Sequence, residues 1–363
     1  MELFSITPIV IAAPVFVILV VIERLAAHVK KRNIASFQDS ITSINVGLLS
    51  QFVKSTGAVI SIFMYIKIEE KVGAFEWDAG SALTWIFALI LYDFCYYWVH
   101  RAGHEVNLFW ASHITHHSSE EFNLSTAMRS SSTAFYFKWI FFVPLALLGI
   151  PLQVFLVVAL VDSAYQFWVH TQLVNRLGLA EKFLVTPSIH RVHHGQNDYC
   201  IDKNYGGIFS VWDQMFGTFA IEKVDEPVVF GVRTPLNSWN PVWGNLHHYV
   251  QIVRKIRQQN HWRDRWMCLM GGPTWHAKDV RPKIAESPVV ENYKKFSTDT
   301  SFGVRLTGVL STALTLVLLM LYLGARAEMS SYIQIMWVGL AIAYMAALGA
   351  FWSADRRQKI ADL

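Results

Sequence analysis

The 363-residue sequence is short of cysteine, of charge and of glycine-rich nucleotide motifs, and each shortage removes a class of protein. Its three cysteines, Cys95, Cys200 and Cys268, stand far apart with no C-x-x-C, which excludes a disulfide framework, a cysteine zinc site and an iron–sulfur cluster. No G-x-G-x-x-G and no H-P-G-G occurs, so the chain shows no module for nicotinamide, flavin or haem, and any reductant is external. Charged residues make up only 16% of the chain, against 53% hydrophobic residues that include 24 Phe and 14 Trp. With a mean hydropathy of +0.31, this is the composition of a polytopic membrane protein. A net charge of +4 then says less than where Lys and Arg flank the spans, and no nucleic-acid partner is expected.

Apolar runs able to cross about 30 Å of hydrocarbon are read at 6–27, 42–66 and 81–100. The first follows Glu2 rather than a basic segment and lacks an A-x-A cleavage pattern, so it is read as a retained span. It ends in Arg24, His28, Lys30, Lys31 and Arg32, which assigns that end to the cytoplasm. The second begins with polar Thr42, Ser43 and Asn45, and the acidic loop with Glu69, Glu70, Glu76 and Asp78 suits the far side. The third span delivers His100 back to the cytoplasmic face. Residues 105–132 are too polar to span, whereas 134–148 and 151–169, divided at Gly149, Ile150 and Pro151, predict an apolar hairpin that returns His170 to the same side. A polar cap fills 171 to 300, and the runs 303–323 and 332–352 precede a basic tail of Arg356, Arg357 and Lys359. The expected organisation is N-terminal spans and outer loop over 1–80, a catalytic core with its cap over 81–300, and a C-terminal transmembrane hairpin with tail over 301–363. The expected fold is all-α, a polytopic helical bundle under a cytoplasmic histidine-rich cap that holds a dinuclear metal site.

What the chain has in abundance is patterned histidine. HRAGHEVNLFWASHITHH, from His100 to His117, places His100 and His104 four apart on one helix face, and His113, His116 and His117 at spacings of three and four. HRVHHG repeats H-x-x-H-H with His190, His193 and His194, and His170 stands between the clusters. Chance supplies H-x-x-H-H on the order of a hundredth of a time in such a chain, so two copies point to a metal site. Imidazole suits iron, copper, zinc and nickel alike, and spacing does not choose among them. An apolar bundle offers a buried hydrocarbon, however, and oxygen insertion into a C–H bond needs a redox metal, which zinc is not. Two iron ions, O₂ and a membrane lipid are therefore the expected cofactors and partners.

Ligating imidazoles commonly give their second N–H to a carboxylate or carbonyl. Asp93, two turns before His100, and Asp162 and Gln166, which share a helix face with His170 at i, i+4 and i+8, are the candidates for that role, since intramembrane acids are costly. Glu105 reads either as a ligand or its support, or as a solvated glutamate. His28 belongs to the basic flank, His261 and His276 to packing or surface, and the pair His247 and His248 is open between the site and the cap. Glu120, Asn123, Arg129 and Asn204 are candidates for a polar rim around a lipid head group. The residues alone leave three functions: hydroxylation of a lipid C–H bond, a fatty-acyl or sterol hydroxylation or desaturation by the same metals, and non-catalytic metal or lipid binding.

H-x3-H, H-x-x-H-H and a second H-x-x-H-H together resemble the fatty acid hydroxylase and sterol desaturase superfamily of membrane di-iron oxygenases. HRAGHEVNLFWASHITHHSSEEFNLSTAMR and TPSIHRVHHGQNDYCIDKNYGGIFSVWDQMFGTF resemble its ether-lipid-cleaving members well beyond the histidines, and the likeness reaches FGVRTPLNSWNPVWGNLHHY. The resemblance implies hydroxylation of the ether-linked carbon of an alkylglycerol, collapse to a fatty aldehyde and a glycerol lipid, and tetrahydrobiopterin as electron donor. It also implies site roles for Glu105 and the nine histidines. Gln166 departs from relatives with a further histidine, which leaves that coordination position to water or Glu105.

Overall fold

With no water in the hydrocarbon to satisfy backbone N–H and C=O groups, each apolar run has to pair them internally, and this chain does so with helices. The computed structural model describes residues 7–277, 293–298 and 301–353. Along the chain these form α1 (Thr7–Val29), α2 (Phe37–Val72), α3 (Ala82–Glu105), α4 (Asn107–His117), α5 (Leu124–Ala127), α6 (Phe135–Lys138), α7 (Val143–Leu147) and α8 (Leu152–Trp168). The cap contributes α9 (Pro187–His193), α10 (Val211–Phe216), α11 (Pro241–Arg257) and α12 (Trp262–Met270), and α13 (Phe302–Ala325) and α14 (Ser331–Ser353) follow. Among the described residues, extended pairing is confined to two isolated bridges, Leu184 with Phe209 and Gly195 with Phe230, so the fold is all-α. The basic tail from Arg356 lies outside the described residues.

Among those residues α3, α13 with its extension to Glu328, and α14 are long and apolar enough to cross a membrane. α2, bent by 47° between Phe37–Gly57 and Ser61–Val72, makes a fourth if counted as one. The protein is an integral, multi-pass membrane protein. Two boundaries differ from the sequence reading. The third apolar run continues as helix through His104 and Glu105, and the second is eleven residues longer than the stretch 42–66 that its apolar composition marks. The hairpin is also less regular than its composition suggests. Its first arm passes from α6 through a tight 3-10 turn, Trp139–Phe142, into α7, where Pro144 sits in the first helical turn that its missing N–H allows. The apolar segments Phe135–Leu147 and Leu152–Trp168 are short; at about 1.5 Å per residue they reach roughly 20 and 26 Å, less than a full hydrocarbon crossing. Gly149 turns the chain between them at φ +80°, and a side chain there would meet the Phe75 carbonyl oxygen at 2.1 Å.

Packing explains the polar start of α2. Thr42, Ser43 and Asn45 are buried; Thr42 Oγ1 donates to the Trp239 carbonyl at 3.3 Å and Asn45 Nδ2 donates to Thr312 Oγ1 of α13 at 2.7 Å. The second bond, between membrane helices, contributes roughly 0.6 kcal/mol. Ile44, Leu48, Leu49 and Phe52 of the same helix pack on Leu319, Tyr322, Leu323 and Met345 of α13 and α14. A second core joins α3 to the hairpin through Tyr92, Cys95, Val99, Phe142, Leu145 and Val158, so Cys95 is a packing residue. This core holds the lower half of α3 rigid and sends its last two turns, with His100 and His104, toward the cap.

Because α4, the 203–209 loop and α9 surround one centre, labels placed by cysteine substitution at Ser118 and Lys203 should react from the same side of the membrane. Labelling from opposite sides would be incompatible with a shared site, because the backbone between them would then cross an odd number of times.

Candidate metal centre

Four elements bring histidine to one place. α3 supplies His100 and His104, and the extended Val106 (φ −114°, ψ 119°) breaks the helix and lets α4 fold back with His113, His116 and His117. His170 follows the end of α8, and α9, capped by Thr186 and started by Pro187, carries His190 and His193 with His194 at its C-terminus. Nine imidazoles fall into two groups whose nitrogens lie within 4.8 Å of one another: His100, His104, His113, His117 and His193 in one, and His116, His170, His190 and His194 in the other. Helical geometry accounts for the division. In each H-x-x-H-H the outer pair is four residues apart and shares a face, while the third histidine is rotated about 100° away. His113 and His117 thus join the first group and His116 the second, whereas His190 and His194 join the second and His193 the first. The rings of His117 and His194 stack at 4.4 Å and join the two groups.

Hydrogen bonds set the tautomers. A carbonyl can only accept, so Nδ1–H of His100 donates to Tyr205 at 2.8 Å, His193 to Lys203 at 2.8 Å, His170 to Gln166 at 2.6 Å and His116 to Arg129 at 3.3 Å. Each then presents the Nε2 lone pair inward. His100 and His113, and His113 and His117, bring their Nε2 atoms to 3.0 Å, while His170 approaches His116 at 3.1 Å and His190 at 3.0 Å. Two nitrogens each about 2.1 Å from a shared ion at right angles lie about 3.0 Å apart, so the donor set fits metal. His104 Nε2, buried and without a protein partner, is consistent with the same reading. Desolvation holds His113, His116, His117, His190 and His194 well below the ordinary imidazole pKa, with neighbouring imidazoles adding repulsion. It lowers His170 to about 3 and His193 to about 4. These rings are neutral at pH 7, the protonation state that ligates.

Several expected residues do other work. Glu105 is 46% exposed and ion-paired with Arg101 at 2.9 Å, outside both histidine groups. Asp93 takes no imidazole proton: its carboxylate accepts from the Ile208 and Phe209 amides at 2.5 and 3.1 Å and from Trp212 Nε1 at 2.8 Å. It thereby anchors the loop whose Tyr205 carbonyl orients His100. Asp162 is 2% exposed, with Oδ1 unpartnered, against Gly207, where an added Cβ would lie 2.8 Å from that oxygen and 2.5 Å from Asp93 Oδ1. Gln166 serves through its backbone carbonyl, and its Nε2 finds no partner. The proposed rim residues are internal braces. Glu120 accepts from Tyr293 and the Phe296 amide, Asn123 caps α5, Arg129 bonds the Thr115 carbonyl, and Asn204 ties its loop to Ile189 and Ala220. His248 bonds Asn107 at 2.7 Å and His247 the Gly244 carbonyl at 3.0 Å, so neither joins the site.

Sequence reading named Asn204 in the loop 203–209 as a rim residue and missed the loop's part in orienting His100 and His193. Asp202 and Asn204 hold positive φ (+56° and +58°), which Asp and Asn tolerate best, and Asp213 accepts from the Tyr205 and Gly206 amides at 2.7 and 2.8 Å. The signal was present in DKNYGG, but spacing does not say which carbonyls turn inward.

These features define a membrane protein with two histidine groups fit to coordinate metal, and the family model for fatty acid hydroxylases matches residues 85–218, the stretch that holds all nine histidines. The chain belongs to the fatty acid hydroxylase and sterol desaturase superfamily, and over most of its length it is similar to alkylglycerol monooxygenases. It is 37% identical to the Homo sapiens alkylglycerol monooxygenase over 353 residues, 96% of this chain and 78% of that protein. Identity to the Xenopus tropicalis enzyme of the same name is 35% over 352 residues, 96% of this chain and 77% of that one. A more distant likeness, 33% over 135 residues, links 37% of the chain to 41% of the ornithine lipid hydroxylase of Rhizobium tropici. No solved structure matches it.

Two outcomes test this geometry. Iron per chain should fall from about two to about one or less in His117→Ala and in His190→Ala, and stay unchanged in Glu105→Gln, as measured by plasma emission on purified protein; unchanged iron in both histidine variants would reject the grouping. Asp93→Ala strands one buried donor, at about 1–3 kcal/mol, and two partly buried ones, and frees the loop behind His100. It should lower iron affinity by roughly tenfold or more although no ligand is altered, read by competition with a chelator.

Proposed function

We propose that this protein is a membrane di-iron monooxygenase that hydroxylates the ether-linked carbon of alkylglycerol lipids, with tetrahydrobiopterin as its external reductant and its centre on the cytoplasmic face. The observation that carries the reading is the pair of histidine groups at the end of apolar helices, in a chain 37% identical to the human alkylglycerol monooxygenase.

Iron bound there would supply the O₂ activation needed to insert oxygen into a C–H bond. The chain's own residues hold the ligands and exclude water. Seven of the nine histidines are buried; His113 and His116 are partly open, so access to the centre runs along α4. On that helix Phe109 packs against Phe137 at 5.4 Å and Phe141 at 5.9 Å of the hairpin, which carries hydrocarbon surface up to the ligands. An alkyl chain laid on that surface would leave its ether-linked carbon as the last carbon before a polar head, and restriction to one carbon is the source of selectivity. Once hydroxylated, this carbon bears both a hydroxyl and the ether oxygen. Its collapse breaks the C–O bond, passes the hydroxyl proton to the departing alkoxide and yields aldehyde and glycerol hydroxyl without further oxidation. No additional catalytic base is demanded of the protein.

The absence of a nucleotide or haem motif supports an external reductant. The cytoplasmic assignment is supported by α1, whose basic end reaches the metal side: Arg32 Nη1 donates to the Gln172 carbonyl at 2.7 Å, two residues from His170. Membranes containing the protein, supplied with iron, O₂, tetrahydrobiopterin and a 1-O-alkylglycerol, should release a fatty aldehyde identified by mass. Parallel incubations use a matched acyl lipid and a sterol; an untouched ether lipid beside a hydroxylated acyl chain or sterol would reject the alkylglycerol assignment and leave a di-iron oxygenase of other specificity.

A further inference from the structure

Away from the histidines, a cavity of about 510 Å³ opens where the end of α1 meets the loop after α8, helix α9 and the segment 222–230. Four cations line it, Arg32, Arg176, Arg191 and Lys223, with Glu222 as the lining carboxylate. Glu222 is committed: it holds Arg191 through Nε at 2.8 Å and Nη2 at 2.7 Å, and Arg191 Nη1 serves the Thr171 and Val174 carbonyls. The other two guanidinium groups are under-used. Arg32 spends Nη1 on the Gln172 carbonyl and Arg176 reaches Glu181 through Nε at 3.4 Å, so Nε and Nη2 of the first and both Nη of the second have no hydrogen-bond partner among the described residues. Lys223 pairs with Glu226 at 3.2 Å, whereas Arg32 has no carboxylate partner among the described residues, so an anion in the cavity would supply the charge that Arg32 lacks. The free edges of two planar guanidinium groups match the oxygens of a phosphate.

The rest of the cavity argues for an amphiphile. Val224, Val228 and Phe230 form an apolar part of its lining. Arg32 lies three residues beyond the end of α1, beside exposed Lys30 and Lys31, so the cavity sits where the chain leaves the apolar layer. We propose that this cavity binds an anionic phospholipid by its phosphate, with Arg32 and Arg176 on the phosphate oxygens and the valines against the carbons next to it. The site is separate from the iron ligands, though its wall is shared: Phe230 stacks on Phe122 at 5.0 Å, and Phe122 on His170 at 5.4 Å. The proposal does not rest on the ether-lipid reading.

The test uses the full-length protein, stripped of lipid in detergent and titrated with dioleoyl phosphatidate, dioleoyl phosphatidylcholine or inorganic phosphate. Binding is read by native mass spectrometry and by the shift in melting temperature. One phosphatidate should be retained per chain, and an Arg32→Gln/Arg176→Gln double variant with normal iron content should bind it at least tenfold more weakly. Lys30→Gln, beside the cavity but not lining it, should bind as wild type. Arg32→Gln alone should weaken binding several-fold, and it decides the matter should the double variant fail to fold. Phosphatidate binding unchanged in the folded double variant, or in Arg32→Gln when that variant decides, overturns the site. Equal retention of phosphatidylcholine overturns the preference for an anionic lipid, and saturation by inorganic phosphate to the same extent overturns the lipid as its source.

Discussion

Nine neutral imidazoles can share so small a volume only if each directs its proton away from the centre and its lone pair into it. Four of them do so through Nδ1–H bonds to the carbonyls of Tyr205, Lys203, Gln166 and Arg129. Inward lone pairs at 3.0–3.2 Å repel one another unless a cation sits among them. The scaffold therefore has to hold an arrangement that is favourable only when metal is bound, and much of its buried polar structure serves that end. Asp93 and Asp213 brace the loop that supplies two of those carbonyls, and Arg129, itself 1% exposed, is held by bonds to the Thr115 carbonyl and Ser118 Oγ.

The use of carbonyls rather than carboxylates to orient these rings has an electrostatic rationale. A carboxylate beside every imidazole would add several buried negative charges at the edge of the hydrocarbon, each expensive to desolvate. Backbone carbonyls fix the same tautomers without net charge. The two intramembrane acids act at one remove instead, packed either side of Gly207, where the lack of a Cβ lets both approach the loop backbone.

The two H-x-x-H-H motifs work as a reciprocal pair. Each gives its outer histidines to one group and its remaining histidine to the other, so neither group can be assembled without both α4 and α9. Metal binding thus ties together segments about seventy residues apart in sequence, along with the intervening hairpin that delivers His170. The apolar core between α3 and the hairpin provides the rigidity against which this closure occurs.

Composition and spacing were enough to establish an all-helical membrane protein, its main apolar segments and the nine histidines, because hydrocarbon forces helices and a helix places i and i+4 on one face. Spacing within each H-x-x-H-H even contains the split between the groups, since it follows from 100° per residue. Tertiary structure alone decided the partners. Whether Asp93 meets a ring or a loop, and whether Glu120 and Asn204 form a rim or a brace, depend on contacts between residues distant in the chain, up to 176 positions for Glu120 and Phe296, whereas the Arg101–Glu105 pair is a local i, i+4 contact on one helix. A residue's own neighbours carry no record of such contacts, and backbone carbonyls, identical at every position, leave no mark in the sequence of which ones turn toward the histidines.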